Sequence, residues 1–171
     1  MSDYPAAAAS APDAVFSPDD DLPALWIKAY QGEVSGELLF SGLAERTEDQ
    51  SHREKLNVLA LLERRTREAL VPVMERSGLP TDPDPKTVSD TTTITDVAAL
   101  MSWEDLWVSG EAITTQFLAL YRRIAELTET EQAAAELLVA HEEALRDFAR
   151  IEQAGGSDDS LGAIRSLRHM G

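Results

Sequence analysis

Residues 52–73, HREKLNVLALLERRTREALVPV, decide the fold of this chain. Residues that would face the inside of the protein recur there at alternating spacings of three and four residues. This is the period of a single face of an α-helix. The positions of this stripe are His52, Leu56, Leu59, Glu63, Thr66, Leu70 and Val73. The stripe runs for about three heptads, which predicts a long helix that packs lengthwise against partner helices.

The ends of this helix are marked in the sequence. It is expected to start after Asp49 and to end near Ser77, with Gly78 as its C-cap. Pro72 lies inside the last turns and is expected to kink the helix rather than end it.

Other segments of the chain show the same period. The long predicted helices span residues 22–44, 50–77, 96–127 and 131–154, and a short one spans residues 161–169. Asp20 or Asp21 can cap the first, a break is expected near Ser102 in the third, and Asp159 or Ser160 can cap the last. Glycines at 155–156 stop the fourth.

The connections between these helices indicate their arrangement. Residues 78–95, GLPTDPDPKTVSDTTTIT, contain three prolines and no helical period, so they are expected to form a long loop. The order short, long, short predicts an all-α fold, an antiparallel four-helix bundle of the ferritin-like type with a long crossover between helices 2 and 3. A bundle with simple up-down topology is the alternative.

The chain is expected to divide into three parts. Residues 1–20 mix Ala, Pro, Ser and Asp and predict a flexible N-terminal arm, which Phe16 could pin to the body. Residues 21–155 are expected to form the bundle, and residues 156–171 a short C-terminal helix and tail. The N-terminus lacks the pattern of a secretory signal, so a cytoplasmic location is expected.

Composition restricts the classes of partner. The 171 residues carry a formal net charge of −16, which repels phosphate and argues against nucleic acid and anionic membranes as partners. The chain has no cysteine, which excludes disulfides, iron–sulfur clusters and thiolate chemistry. No apolar run approaches the ~20 residues needed to cross a bilayer.

Polar residues lie near the midpoints of the four long predicted helices. Antiparallel packing of helices of similar length brings their midpoints to one level, whichever topology joins them. A buried carboxylate must be protonated, paired or metal-bound, and carboxylates with an imidazole suit iron, manganese or zinc. The candidate metal ligands are Glu33, Glu37, Glu63, Glu111, His141 and Glu142.

A purely structural interpretation of these residues stays open. Glu63 could pair with Arg67 one turn on, and Glu37, Glu111 and Glu142 could simply reach water. Whether any metal is bound at all is therefore open, and no catalytic residue and no organic cofactor is indicated.

Three segments resemble the ferritin-like superfamily, which includes rubrerythrins and carboxylate-bridged di-iron enzymes. They are AYQGEVSGE at 29–37, LLERRTREALVPVMERSGL at 61–79 and LLVAHEEALRDFARIEQAG at 137–155. The resemblance covers about residues 22–155 and implies a metal centre in the middle of the bundle.

The ligand pattern of that family is one Glu on each of two helices and Glu-x-x-His on the other two. The resemblance matches Glu33 or Glu37 to the first helix, Glu63 to the second, Glu111 to the third and Glu142 to the fourth. This chain has no Glu-x-x-His: Thr66 follows Glu63 at the histidine position, and His141 precedes Glu142.

Different functions follow from these patterns. The first is a divalent-metal protein, with iron, manganese or zinc, that has oxidoreductase activity. The second is a bundle that has lost its metal and serves as a structural or interaction module. A three-histidine metal transferase would need His52, His141 and His169, of which only His141 is central. We expect a homodimer.

Overall fold

The computed structural model describes residues 14–156 and 159–171 of the chain. Over these residues the protein is helical and contains no strand, which confirms the all-α expectation. Its helices are α1 Leu22–Arg46, α2 Gln50–Arg76, α3 Pro85–Ala98, α4 Trp103–Leu127, α5 Gln132–Gln153 and α6 Gly162–Arg165, followed by a 3-10 helix at Arg168–Met170.

Side-chain caps explain where α1, α2 and α4 begin. Asp21 accepts a hydrogen bond from the Ala24 amide at the start of α1, and Asp49 accepts one from the His52 amide at the start of α2. Ser102 caps α4 in the same way, so the break expected near Ser102 separates α3 from α4. Gly78 follows α2 at φ 65°, as expected of a C-cap glycine. Pro72 lies inside α2, which continues to Arg76.

Residues 85–98 correct the expectation of a loop across 78–95. They form the helix α3, with Asp84 as cap and Pro85 in the first turn. Threonines disfavour helices because their hydroxyls compete for backbone groups and their χ1 is restricted. Here Thr91 and Thr95 bond back to carbonyls one turn earlier, and both are buried.

Packing against α1 accounts for α3. The Thr91 hydroxyl lies 2.7 Å from that of Ser35 on α1. The segment that crosses between α2 and α4 is thus a short loop and a helix laid along α1. Tertiary contact, which no local period reveals, stabilises it.

The long helices pack in pairs. α1 lies along α2 and α4 lies along α5, while α1 also contacts α4 and α2 also contacts α5. None of the described helices combines the length and the apolar character needed to cross a bilayer.

The core has two apolar clusters. The first contains Phe40, Leu43, Leu56, Leu59, Leu62, Trp107, Leu145, Phe148 and Ile164. The second contains Leu25, Trp26, Tyr30, Leu70, Met74, Leu120, Tyr121, Ile124 and Leu138. Buried polar residues lie between the two clusters on α2, α4 and α5, and at the inner edge of the second cluster on α1; they are Glu33, Glu63, Thr66, Thr114, His141 and Glu142. The middle of the core is therefore a polar layer.

Both ends of the described chain rest on this body. The first 13 residues of the predicted arm lie outside the described residues, but Phe16 packs against the second cluster. The predicted helix at 161–169 is wrong in extent, because only Gly162–Arg165 and Arg168–Met170 are helical and neither has a side-chain cap. Leu161 and Ile164 are buried in the first cluster, which holds the end of the chain against the body.

Candidate metal centre

Glu33, Glu63 and His141 meet in the polar layer. They come from α1, α2 and α5, all three are buried, and one ligand atom from each lies within 4.8 Å of the others. This confirms the expectation that these residues converge at one level. Glu142, the next residue on α5, is buried beside them.

The Nε2 atom of His141 is the geometric centre of the group. It lies 3.7 Å from a Glu33 oxygen, 3.7 Å from a Glu63 oxygen and 3.6 Å from a Glu142 oxygen. These distances are too long for hydrogen bonds. Donor atoms bound at about 2.0–2.2 Å to one tetrahedral ion lie about 3.3–3.6 Å apart. The distances from His141 Nε2 are therefore close to those between donors of a shared ion, and the group whose atoms all lie within 4.8 Å of one another is Glu33, Glu63 and His141.

The Thr66 hydroxyl determines which nitrogen of His141 carries the proton. It donates to the Leu62 carbonyl at 2.9 Å, so its oxygen accepts from its other partners. Those partners are His141 Nδ1 at 2.8 Å and His169 Nε2 at 3.0 Å. We therefore assign the His141 proton to Nδ1. The lone pair on Nε2 then faces the three carboxyl groups, the arrangement of a metal-ligating histidine.

The two oxygens of Glu33 differ in their surroundings. Oε1 accepts a 2.6 Å hydrogen bond from the Tyr121 hydroxyl on α4. Oε2, the oxygen nearest His141, is buried without a hydrogen-bond partner. A buried acceptor left in this way costs about 1–3 kcal/mol, and a bound cation would remove that cost.

Burial shifts the pKa values of the ionisable groups in this layer toward their uncharged forms. Burial raises the pKa of Glu33 to about 7, although the Tyr121 hydroxyl and the neighbouring Glu63 lower it. Burial, together with the charges of Glu33 and Glu142, holds the pKa of Glu63 well above its usual range. The pKa of Glu142 is raised by burial and by Glu33. Burial, and then the charge of His169, lowers the pKa of His141 to about 3.

Basic side chains do not balance the cluster. In the described part of the chain, no Lys or Arg forms an ion pair with Glu33, Glu63 or Glu142. Arg146 acts on Glu142 only through its charge, which lowers the pKa of that carboxyl in part. The neutral imidazole supplies no positive charge, so the carboxyl groups must hold protons or share a metal cation.

Glu37 lies outside the cluster. Arg64 donates to it at 2.7 Å and Arg67 at 2.9 Å. Burial alone would raise the pKa of Glu37. The two arginines together lower this pKa by more than burial raises it, so the net shift is downward. The pairing of Glu63 with Arg67 that the sequence allowed is not formed, because Arg67 pairs with Glu37.

Glu111 also lies outside the cluster. Arg150 donates to it at 2.6 Å and Gln153 at 2.9 Å, and both bonds lower its pKa. Both Glu37 and Glu111 are thus engaged by donors away from His141.

Sequence reasoning missed His169 as a neighbour of the site. It was expected to lie in the tail, but its Nε2 reaches Thr66, and its carbonyl accepts a hydrogen bond from Arg65 at 3.1 Å. No local signal marks a contact across so many residues. His52, by contrast, lies in the first turn of α2, about three turns before Glu63, and stacks on Trp103 with ring centroids 3.8 Å apart.

Gly36 is a second residue whose role only the structure reveals. A Cβ atom built on Gly36 would lie 2.5 Å from both Cδ and Oε2 of Glu63. The missing side chain therefore lets the Glu63 carboxyl lie directly beneath α1. Its position one turn after Gly32 was visible in AYQGEVSGE, but its purpose was not.

A cavity of about 360 Å³ connects this region with the surface between α1, α3 and α4. Glu63, Tyr121 and Glu142 are among the residues that line it. Of the metal-ligand candidates, Glu63 and Glu142 thus border a cavity, whereas Glu33 and His141 lie behind them.

Comparison with known proteins yields no relative: no protein-family model, no curated protein and no solved structure matches the chain. Function must therefore be inferred from the polar layer and the cavity beside it.

Proposed function

We propose that this chain is a ferritin-like four-helix bundle that binds one divalent transition-metal ion through Glu33, Glu63 and His141, with the Glu142 carboxyl beside the ion. In this proposal α1, α2, α4 and α5 are the helices of the bundle, and α3 belongs to the crossover. The observation that carries it is the position of His141 Nε2, which lies 3.6–3.7 Å from an oxygen of each of three buried carboxyl groups.

Electrostatics supports this proposal. A neutral imidazole lone pair and carboxylate oxygens repel one another unless a cation lies between them. A proton cannot bridge His141 Nε2 to the carboxyl groups, because these separations of 3.6–3.7 Å exceed those of hydrogen bonds. A metal ion would satisfy the unpartnered Oε2 of Glu33 as well.

The donor set favours iron, manganese or zinc. Carboxylates and one imidazole are hard to borderline ligands, which suit these divalent ions, and no thiolate is available. The family pattern with two Glu-x-x-His motifs serves two ions. One histidine and three carboxyl groups in this cluster support a site for a single ion.

We place the activity of the protein among metal-dependent oxidoreductases. Structural sites have four protein ligands, whereas catalytic sites keep one coordination position free of protein ligands. Three ligands from Glu33, Glu63 and His141 would leave such a position, and the cavity reaches Glu63 and Glu142 beside it. A bound iron or manganese ion would supply redox chemistry with oxygen or peroxide. Tyr121 and Thr66 would orient Glu33 and His141 toward it through their hydrogen bonds.

A second candidate is a bundle that binds no metal and serves as a structural or interaction module. The hydrogen bonds from Tyr121 to Glu33 and between Thr66 and both histidines favour it, because they give buried polar groups partners within the protein. In this candidate the carboxyl groups of the polar layer hold protons.

Metal titration of matched variants separates the two candidates. Untagged protein is assayed for metal content, then stripped with chelator and titrated by calorimetry with Mn²⁺, Zn²⁺ or, without oxygen, Fe²⁺. We expect one ion per chain. Glu63→Gln should weaken binding by about 100-fold or more, since it removes a ligand. Glu37→Gln, which changes a carboxylate held by arginines, should leave affinity within about twofold.

Thermal unfolding of Glu63→Gln can decide against the metal site. If the protein binds metal, this variant lowers the melting temperature only when metal is present. If Glu63→Gln raises the melting temperature equally with and without chelator, the metal-free module is the correct candidate.

A further inference from the structure

The cavity between α1, α3 and α4 has a distinctive chemistry. Its volume of about 360 Å³ lies in the range of small-molecule pockets. Among the described residues that line it there is no Lys, Arg or His, and the only acidic ones are Glu63 and Glu142. Most of its wall is apolar, including Leu39, Phe40, Ile94, Val97, Met101 and Ile113.

The two ends of the cavity differ. Its inner end is formed by Glu63, Tyr121 and Glu142, which belong to the buried polar layer. Its mouth carries Val97 and Ile113, which remain 60% and 44% exposed. Apolar side chains left exposed at an opening commonly mark a place where a ligand enters.

We propose that this cavity binds an uncharged, mainly apolar molecule with one polar end, and that the polar end lies at the Glu63–Glu142 end. The identity of this ligand as the substrate of the metal centre rests on the proposed function, whereas its binding to the cavity does not. An apolar cavity of about 150 Å³ holds one benzene molecule. A cavity of this size therefore suits a ligand with on the order of a dozen carbon atoms.

The lining of the cavity disfavours an anionic ligand. A carboxylate or phosphate at the inner end would be buried among apolar walls with no basic side chain to pair with, which is costly for a charge. The net charge of −16 also repels anions as they approach. The cavity should thus distinguish an alcohol from the fatty acid of the same length.

Displacement of a fluorescent probe tests this inference on the full chain. N-phenyl-1-naphthylamine is uncharged and fluoresces in apolar surroundings. We expect it to bind to metal-stripped protein and to be displaced by 1-dodecanol at a concentration at least tenfold lower than that needed with dodecanoate. Displacement by both at equal concentrations, or by neither, would overturn the inference.

A matched pair of variants locates the binding. Ile113→Trp narrows the mouth, whereas Val108→Trp changes another exposed position of α4 that does not line the cavity. We expect Ile113→Trp to weaken probe binding at least tenfold and Val108→Trp to leave it within about twofold. Equal effects of the two variants would contradict the assignment to this cavity.

The remaining occupant to consider is a second copy of the chain. Sedimentation of the metal-stripped protein identifies this case. A dimer that Ile113→Trp dissociates, together with absence of probe binding, would assign the apolar mouth to a protein interface and overturn the inference.

Metal titration of Ile113→Trp keeps this inference separate from the proposed function. Loss of probe binding with unchanged metal affinity supports the ligand cavity. Probe binding by a wild-type chain that takes up no metal also supports the cavity but rejects the metal centre. Metal uptake by a wild-type chain that binds no probe rejects the cavity alone.

Discussion

The Thr66 hydroxyl lies 2.8 Å from Nδ1 of His141 and donates its own hydrogen to the Leu62 carbonyl. This relationship joins α2 to α5 and directs the lone pair of the imidazole toward the carboxyl groups of Glu33 and Glu63. The orientation of the histidine is therefore determined by a residue outside the set of metal-ligand candidates.

Replacement of Thr66 by valine tests that relationship. Valine keeps the shape of threonine but cannot accept the Nδ1 proton, so His141 should lose its orientation. We expect Thr66→Val to weaken metal binding about 10–100-fold, as for other residues that orient ligands. Calorimetric titration with Mn²⁺ or Zn²⁺ measures this.

Thr91→Val is the control for Thr66→Val. Thr91 is also buried and bonds back to a carbonyl one turn earlier, but on α3. Its replacement should leave metal affinity unchanged. Equal loss of affinity in both variants would show that Thr66 has no specific effect on His141.

The pH dependence of stability should report the buried carboxyl groups. The pKa of Glu33 is raised from an ordinary 4.5 to about 7, so the folded protein holds a proton that the unfolded chain releases. Without metal, the free energy of unfolding should therefore fall as the pH rises from about 4.5 through about 7. Glu33→Gln should reduce this decline, measured by urea unfolding across that range.

Glu37→Gln should change the pH dependence with the opposite sign. The pKa of Glu37 is lowered in the folded protein, so its carboxylate stabilises the fold above its ordinary pKa, and this contribution is lost as the pH falls. The variant should lose stability at neutral pH relative to acid pH.

The result for Glu33→Gln can contradict the assignment to Glu33. This would be the case if its free energy of unfolding declined with rising pH as steeply as that of the wild type.

Gly36→Ala should destabilise the metal-free protein. Alanine within a helix normally improves on glycine by about 1 kcal/mol. At this position its Cβ would lie 2.5 Å from the Glu63 carboxyl. Displacement of that buried group should outweigh the gain and lower the free energy of unfolding by about 1–3 kcal/mol, measured by chemical denaturation.

Gly162→Ala is the control for Gly36→Ala, because the nearest atom to its added Cβ is an Asp159 oxygen at 3.8 Å. It should change stability by no more than about 0.5 kcal/mol. If Gly36→Ala is more stable than the wild type, the Glu63 carboxyl is not confined by α1.

Glu152 should matter for stability and not for metal. It accepts hydrogen bonds from Lys55 at 2.6 Å and from Trp103 Nε1 at 2.7 Å, so it joins α5 to α2 and α4. Glu152→Gln should lower the free energy of unfolding by about 1–3 kcal/mol, because the half-buried Lys55 loses its partner. Urea unfolding measures this, and metal affinity should not change.

Glu143→Gln is the matched control on the same helix. Glu143 pairs with Arg122 at the surface, where ion pairs contribute about 0–1 kcal/mol. Equal destabilisation by the two variants would show that Glu152 acts only as a surface ion pair.

The local sequence was sufficient to predict the long helices and the polar layer. Caps such as Asp21 and Asp49 and the alternating spacing of residues 52–73 act within a few residues of one another. The convergence of Glu33, Glu63 and His141 followed from the phase and the midpoints of their helices. The helix α3 was not predictable in this way, because its threonines are poor helix formers that packing against α1 stabilises.

The choice among carboxylates belongs to the tertiary structure. Glu33 and Glu37 are one helical turn apart and look alike in the sequence, yet Arg64 and Arg67 hold Glu37 while Glu33 faces His141. Periodicity reports which face of a helix is buried, but partners across helices depend on rotations and shifts of a few ångströms. The sequence by itself determined the four long helices and the level at which their polar residues meet. Only tertiary packing decided which of those residues share a centre, that Gly36 makes room for Glu63, and that His169 returns to Thr66, because each depends on atoms far apart along the chain.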